Sequence, residues 1–343
     1  MEHSELNVAA ATTTGVRAKP RGLRGLARRA VGLQEGNLVI ALLVVSAFLA
    51  WRSPVFLTER NLAVLLLTSS MVAISAVGMT ILLISGEVDL SVGSLQAVVG
   101  VIAMQVMNAT NNLVLGILVG LAIGVLVGLV NGVLTVRLGI TSFIVTLAML
   151  SILRASAYIS TNAAVQNLHK IPAFSEIGNG YLWRIPWPVV IMVVVFVGAY
   201  LLLHHTTLGR AIYAVGGNRR AAELSGIRVN AVKMLCFVVA STLAAVSAII
   251  LLSRMNSGQN NAGFGFEFQV IGAALLGGTS LYGGQGSLVG TMLAVLLLGV
   301  LSNGIILLGI PEGSSWQVAV TGLVILIALY MDARRRRLAG EAA

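Results

Sequence analysis

Apolar runs too long and too numerous for a soluble core dominate this chain. Between residues 38 and 331 the sequence is a series of stretches rich in Leu, Val, Ile, Ala and Gly, divided by short polar breaks. About 20 apolar residues match the ~30 Å hydrocarbon core of a bilayer. Inside that core each segment must satisfy its own backbone polar groups, which selects helices. The expected fold is therefore all-α, a polytopic membrane protein. Runs near 38–51, 62–85, 91–108, 113–136, 142–160, 188–204, 233–252, 269–282, 287–309 and 315–331 give about ten transmembrane helices. Composition agrees, with 57% hydrophobic and only 10% charged residues, against about 25% charged in soluble domains. The run at 269–282 is short for a crossing and suggests a broken or tilted helix. Ala47-Phe-Leu-Ala50 resembles a cleavage site, but the basic region before it is too long for a signal peptide, so 38–51 reads as an uncleaved first span.

Charge sets the expected orientation. Six cations (Arg17, Lys19, Arg21, Arg24, Arg28, Arg29) precede the first span. With that end inside, the inner segments hold sixteen cations, the outer segments five, and Arg154 lies within a span. This bias places both termini in the cytoplasm and accounts for the net charge of +10 without nucleic acid. The expected organisation is a basic tail at 1–37, a membrane domain at 38–333 and a cytoplasmic tail at 334–343. The largest outer loop is about 161–187 and the largest inner loop about 205–232. In the first tail, Leu23, Leu26, Ala30 and Val31 form one face of a short surface helix if that segment is helical. The single cysteine, Cys236, excludes an intrachain disulfide. No metal-ligand cluster stands out, since the adjacent His204 and His205 do not share a helix face.

Ionised groups at membrane depth are costly and usually face a cavity or a partner. Glu87 and Asp89, within Gly86-Glu-Val-Asp-Leu-Ser-Val-Gly-Ser94, are the foremost candidates for a translocation path. The alternative is an inner loop with Asp89 or Ser91 capping the next helix. Ser91 is counted with that path, and Asn131, Ser142, Thr146 and Gln269 are further path candidates, or else interhelical hydrogen bonds. Arg154 either snorkels outward or pairs with an acid. Gly116, Gly120, Gly124 and Gly128 recur every four residues and mark a close helix contact. The stretch Gly278–Ser287 weakly echoes Gly86–Ser94, and interrupted helices in matching halves point to a transport path.

The inner stretch Thr207–Asn230 carries the most specific pattern. Asn218 is an N-cap and Gly226 a C′ stop, with about two helical turns between them. Ala221 and Ala222 give that helix a small face suited to a groove on a cytoplasmic partner, so Ala222→Arg is expected to block docking while leaving the fold intact.

Four ordered motifs carry a resemblance: Gly86–Ser94, Ser142-Phe-Ile-Val-Thr-Leu-Ala-Met-Leu150, Thr207–Asn230 and Gly277–Ser287. Over residues 38–333 the chain resembles permeases of ABC importers of the ribose/galactose/xylose type, in the branched-chain permease superfamily. Glu87 departs from the family pattern, which often has glycine there. The resemblance implies a monosaccharide permease of the bacterial inner membrane, working by alternating access. An inositol, nucleoside or branched-chain amino acid permease is the alternative, and an ion-coupled secondary transporter the rival from another class. It implies coupling to an ATPase through Gly209, Arg210, Asn218, Arg219, Ala221, Ala222, Ser225 and Gly226. The implied partners are the cytoplasmic ATP-binding subunit, an extracytoplasmic sugar-binding protein, a second permease copy (identical or sister) and membrane lipid. No Gly-x-x-x-x-Gly-Lys-Ser/Thr occurs, so no cofactor is expected in this chain, and ATP and Mg belong to the partner.

Overall fold

The computed structural model describes residues 34–168 and 171–339. The first half holds α1 (Gln34–Arg52), α2 (Glu59–Ile84), α3 (Val92–Thr110), α4 (Leu113–Val136) and α5 (Ser142–Thr161). A connecting segment follows, with strand β1 (Gln166–Asn167), helix α6 (Ser175–Asn179) and the hairpin β2 (Tyr181–Leu182) and β3 (Ile185–Pro186). The second half holds α7 (Trp187–His205), α8 (Thr207–Gly217), α9 (Arg219–Leu224), α10 (Val229–Met255), strand β4 (Ser257–Gly258), α11 (Phe266–Leu276), α12 (Leu288–Leu307) and α13 (Gly313–Ala339). The only other sheet is the antiparallel pairing of β1 with β4, among the described residues.

The chain is an all-α polytopic membrane protein. Among the described residues, eight helices are long and apolar enough to cross a bilayer. All ten expected positions are helical, but α11 has 11 residues, about 16 Å at 1.5 Å per residue. It goes only part of the way. α13 continues to Ala339, where a tail was expected from 334. The basic tail with its six cations, and its expected surface helix, lie outside the described residues.

Local chemistry fixes the helix ends. Thr58, Asn112 and Ser287 cap α2, α4 and α12, each accepting from a backbone N–H three residues on. Helices α3, α5 and α10 all stop on an asparagine in the left-handed region, Asn111, Asn162 and Asn256, with φ of 52, 50 and 52°.

α10 is the central post, packed against α2, α3 and α4. The glycine series on α4 explains one of these contacts. A methyl on Gly128 would lie 2.7 Å from Val238 Cα, and one on Gly124 2.6 Å from Ala245 Cβ, so the two helices meet nearly backbone to backbone. The outer helices turn bare apolar side chains outward, including Leu43 and Val44 on α1 and Ile144 on α5. In a bilayer these are solvated by lipid.

Two segments break the regular pattern by entering the bundle. The α2–α3 connection carries Asp89 to Ser241, twelve residues along α10, about 18 Å from its start. From the other end, the chain after β4 descends beside α3. Gly258 abuts Gly100, and Gly263 abuts Gly93. α3 and α11 therefore both begin within the bundle.

Candidate functional site

One end of the bundle carries the expected coupling segment. Thr206 caps α8 through Gly209 N–H at 3.1 Å, and Asn218 caps α9 through Ala221 N–H at 2.9 Å. Gly226 follows with φ of +80°, as the sequence suggested. Gly209 is buried under the carbonyls of Leu202 and Leu203, which leave no room for a side chain. Arg210, Arg219, Arg220, Ala221, Glu223 and Ser225 are exposed. Arg219 and Glu223 pair one turn apart at 3.0 Å. Ala222 corrects the expectation of a two-alanine docking face. It is 3% exposed and turned into the protein, because consecutive helical residues point about 100° apart. The outward apolar residue is Leu224, 82% exposed.

α8 connects this surface to both breaks. Its buried residues Ile212 and Val215 face inward, and Tyr213 Oη donates to Gly286 O at 3.0 Å. At its end, Gly216 and Gly217 meet the end of α2 and the α11–α12 connection. Gly284 N–H donates to Ile84 O at 2.9 Å. A methyl on Gly283 would lie 2.8 Å from Gly86 Cα and 2.9 Å from Gly216 O. The two glycine-rich breaks noted in the sequence are thus in contact, with the end of α8 wedged against them. At Gly216, Gly283 and Gly284 only hydrogen atoms fit between the three segments.

Above this junction lies a buried polar network, in which Asn131 Oδ1 alone keeps no partner among the described residues. Asp89 Oδ1 accepts from Ser91 N–H at 2.8 Å and Ser91 Oγ at 2.6 Å. Its Oδ2 accepts from Ser241 Oγ at 3.1 Å and Asn131 Nδ2 at 3.4 Å. Asn131 also donates to Ser91 Oγ at 3.1 Å, and Ser142 Oγ accepts from Val88 N–H at 3.4 Å. Thr146 is buried one turn on and donates to Ser142 O. Asp89, Ser91 and Asn131 are fully buried. Asp89 caps its own turn rather than the first turn of α3, and ties the break to α4 and α10. Glu87 sits apart from this network, paired with Lys233 Nζ of α10 at 2.6 Å, both side chains 12% exposed.

The expected path residues do not all converge. Gln269 lines a separate cavity of about 350 Å³ between α2, α3, α11, α12 and α13. It shares that cavity with Ser69, Gln96, Ser302, Asn303 and Gln317. Asn303 is bridged to Asn61 by two amide hydrogen bonds of 3.1 and 2.9 Å. Arg154 does not snorkel freely. It donates to Asn260 O at 2.9 Å and Ala262 O at 2.7 Å, holding the descending loop, and lies in electrostatic reach of Glu267. Glu267 is a buried acid that the sequence reading left in a loop, because the neighbouring span was begun at 269. Among the described residues no group of three or more His, Cys, Asp or Glu side chains is placed to hold a metal.

Residues 61–329 match the family described as branched-chain amino acid transport system / permease component. The chain is 41% identical over 307 residues to the ribose import permease protein RbsC of Escherichia coli K12, covering 89% of this chain and 95% of the relative. It is 40% identical over 300 residues to the ribose import permease protein RbsC of Bacillus subtilis, covering 87% and 91%. It is 38% identical over 304 residues to the L-arabinose ABC transporter permease protein AraH of Azospirillum brasilense, covering 89% of each. No solved structure matches the chain.

Proposed function

The chain belongs to the branched-chain-type family of ABC transporter permease components, and from that membership we propose that it is the membrane-spanning subunit of a monosaccharide importer. ATP is hydrolysed on a separate chain, which docks against α9. A binding protein delivers the sugar at the opposite end, and a second permease copy completes the path. The end bearing α8 and α9 is the cytoplasmic one, because Arg137, Arg210, Arg219, Arg220 and Arg228 gather there. The relatives named for ribose and arabinose import support the choice of solute class.

The observation that carries the mechanism is the contact of Gly216 and Gly217 with both breaks. Motion imposed on α9 passes along α8 to the end of α2 and the α11–α12 connection without any flexible side chain between. The packed helices then take one of two arrangements, open to one side or to the other. Specificity rests mainly with the binding protein.

The test is reconstitution in liposomes with the ATPase and binding protein encoded beside it, following labelled monosaccharides. Uptake that needs all three components and ATP is expected. Uptake by this chain alone without ATP would identify a secondary transporter instead, and ATP-driven uptake of only an amino acid would move the substrate class.

A further inference from the structure

The cavity around Gln269 combines open volume with hydrogen-bonding capacity left over on its wall. Its walls carry the amides of Gln96, Asn303 and Gln317 and the hydroxyls of Ser69 and Ser302, together with Phe266, Val295 and Leu298. Several of these groups are already committed. Gln96 Nε2 donates to Ser247 Oγ at 3.1 Å, Asn303 is bridged to Asn61, and Gln317 Nε2 donates to Ser302 O at 3.4 Å. Two are not. Ser69 Oγ is buried with no partner among the described residues, and no hydrogen bond is found there for the Gln269 side-chain amide. Buried polar groups are nearly always satisfied, so the buried Ser69 hydroxyl, with the half-buried Gln269 amide on the same wall, calls for a ligand.

The chemistry of the wall defines that ligand. No lining residue is ionisable. A carboxylate, ammonium or phosphate group entering here would lose water and find no counter-charge, which is costly. Amides and hydroxyls both donate and accept, as do the hydroxyls of a sugar. The apolar wall suits the C–H face of such a ring. The volume of about 350 Å³ lies within the usual range of small-molecule clefts.

We propose that this cavity is the intramembrane site at which the solute rests during transfer, that Gln269 and Ser69 hydrogen-bond it, and that the uncharged wall selects neutral polyhydroxylated solutes over amino acids. The cavity lies at the end remote from α9, beneath the Asn61–Asn303 bridge, on the side from which an imported solute arrives. This assignment rests on the importer reading above, and the test separates the two.

Wild-type chain is reconstituted with its partner subunits, and initial uptake of labelled D-ribose, L-arabinose and L-leucine is measured against concentration. Gln269→Leu, Gln269→Asn and Ser69→Ala follow, each also measured for melting temperature after purification. The expected result is uptake of a sugar and not of leucine. Gln269→Leu raises the apparent KM about three- to tenfold, the worth of one hydrogen bond. Gln269→Asn recovers part of the loss, Ser69→Ala gives a smaller rise, and melting temperatures do not change. Wild-type sugar uptake that Gln269→Leu and Ser69→Ala leave unaltered overturns the cavity assignment alone. So does a loss that tracks a fall in melting temperature, or a cross-link showing that the second permease copy fills the cavity. ATP-driven uptake of leucine and neither sugar overturns the neutral-solute selection. Absence of ATP-driven uptake of all three by the wild type overturns the importer reading, and this assignment with it.

Discussion

Glu87 and Lys233 show how one departure from a pattern is answered elsewhere in the chain. An acid at a membrane break is expensive alone, and here Lys233 Nζ lies 2.6 Å away on α10. Taking one partner from such a pair leaves an uncompensated charge, at a cost of about 3–5 kcal/mol when fully buried. Lys233→Met is therefore expected to lower the melting temperature of the detergent-purified protein clearly. The double variant Glu87→Gln/Lys233→Met should recover most of the loss, because no charge then remains. Equal losses in the single and double variants would mean that packing, not charge, sets the cost. Asp89 is different in kind. Its carboxylate accepts four hydrogen bonds from three segments, so it shapes the break and meets no open space. The sequence identified both acids as significant, but Lys233 lies 146 residues from Glu87 and Ser241 lies 152 from Asp89, separations no local pattern reports; only Ser91 was within local reach of Asp89.

At the scale of elements, α9 offers a sharper experiment than the alanine substitution that sequence alone suggests. Leu224 stands out at 82% exposure on a helix held by its Asn218 cap. Surface changes away from special features usually alter stability by no more than about 0.5 kcal/mol. Leu224→Arg should leave expression and melting temperature intact while abolishing binding of the purified chain to its ATPase subunit, measured by co-purification. Ala222→Arg should instead destabilise the chain, since the new side chain has no room. Normal ATPase binding by Leu224→Arg would move the interface elsewhere. The Asn218 cap and the Gly226 stop were legible because they are encoded within a few residues. The inward turn of Ala222 was not, because a six-residue helix is too short for its apolar face to be read from periodicity. The same limit hid α8, whose eleven residues sit inside what composition marks as a polar loop. Ten helical positions were legible from hydropathy, since bilayer thickness sets their length. The partial course of α11 was visible only as a shortage of apolar residues.

Across the whole molecule, the parts proposed to touch solute and the parts proposed to carry motion are made of different material. From Val72 at the cavity wall to Ile84 at the junction, α2 runs twelve residues, about 18 Å. The cavity is lined by side chains, whereas the junction of residues 84–86, 216–217 and 283–284 is backbone against backbone. The stretches holding Gly86, Gly283 and Gly284 were conspicuous in the sequence, but contact between residues without side chains leaves no complementary pattern to read. Gly283 also has φ of +90°, a conformation side chains disfavour. Gly283→Val is therefore expected to part the three chains and uncouple the complex, so that ATP is still hydrolysed while labelled-sugar uptake falls at least about tenfold. Uptake matching the wild type would show that motion travels by another route. A joint of bare backbone keeps no memory of the cargo. The cavity wall can therefore be redrawn without disturbing the joint, and the joint serves whatever solute the binding protein hands over.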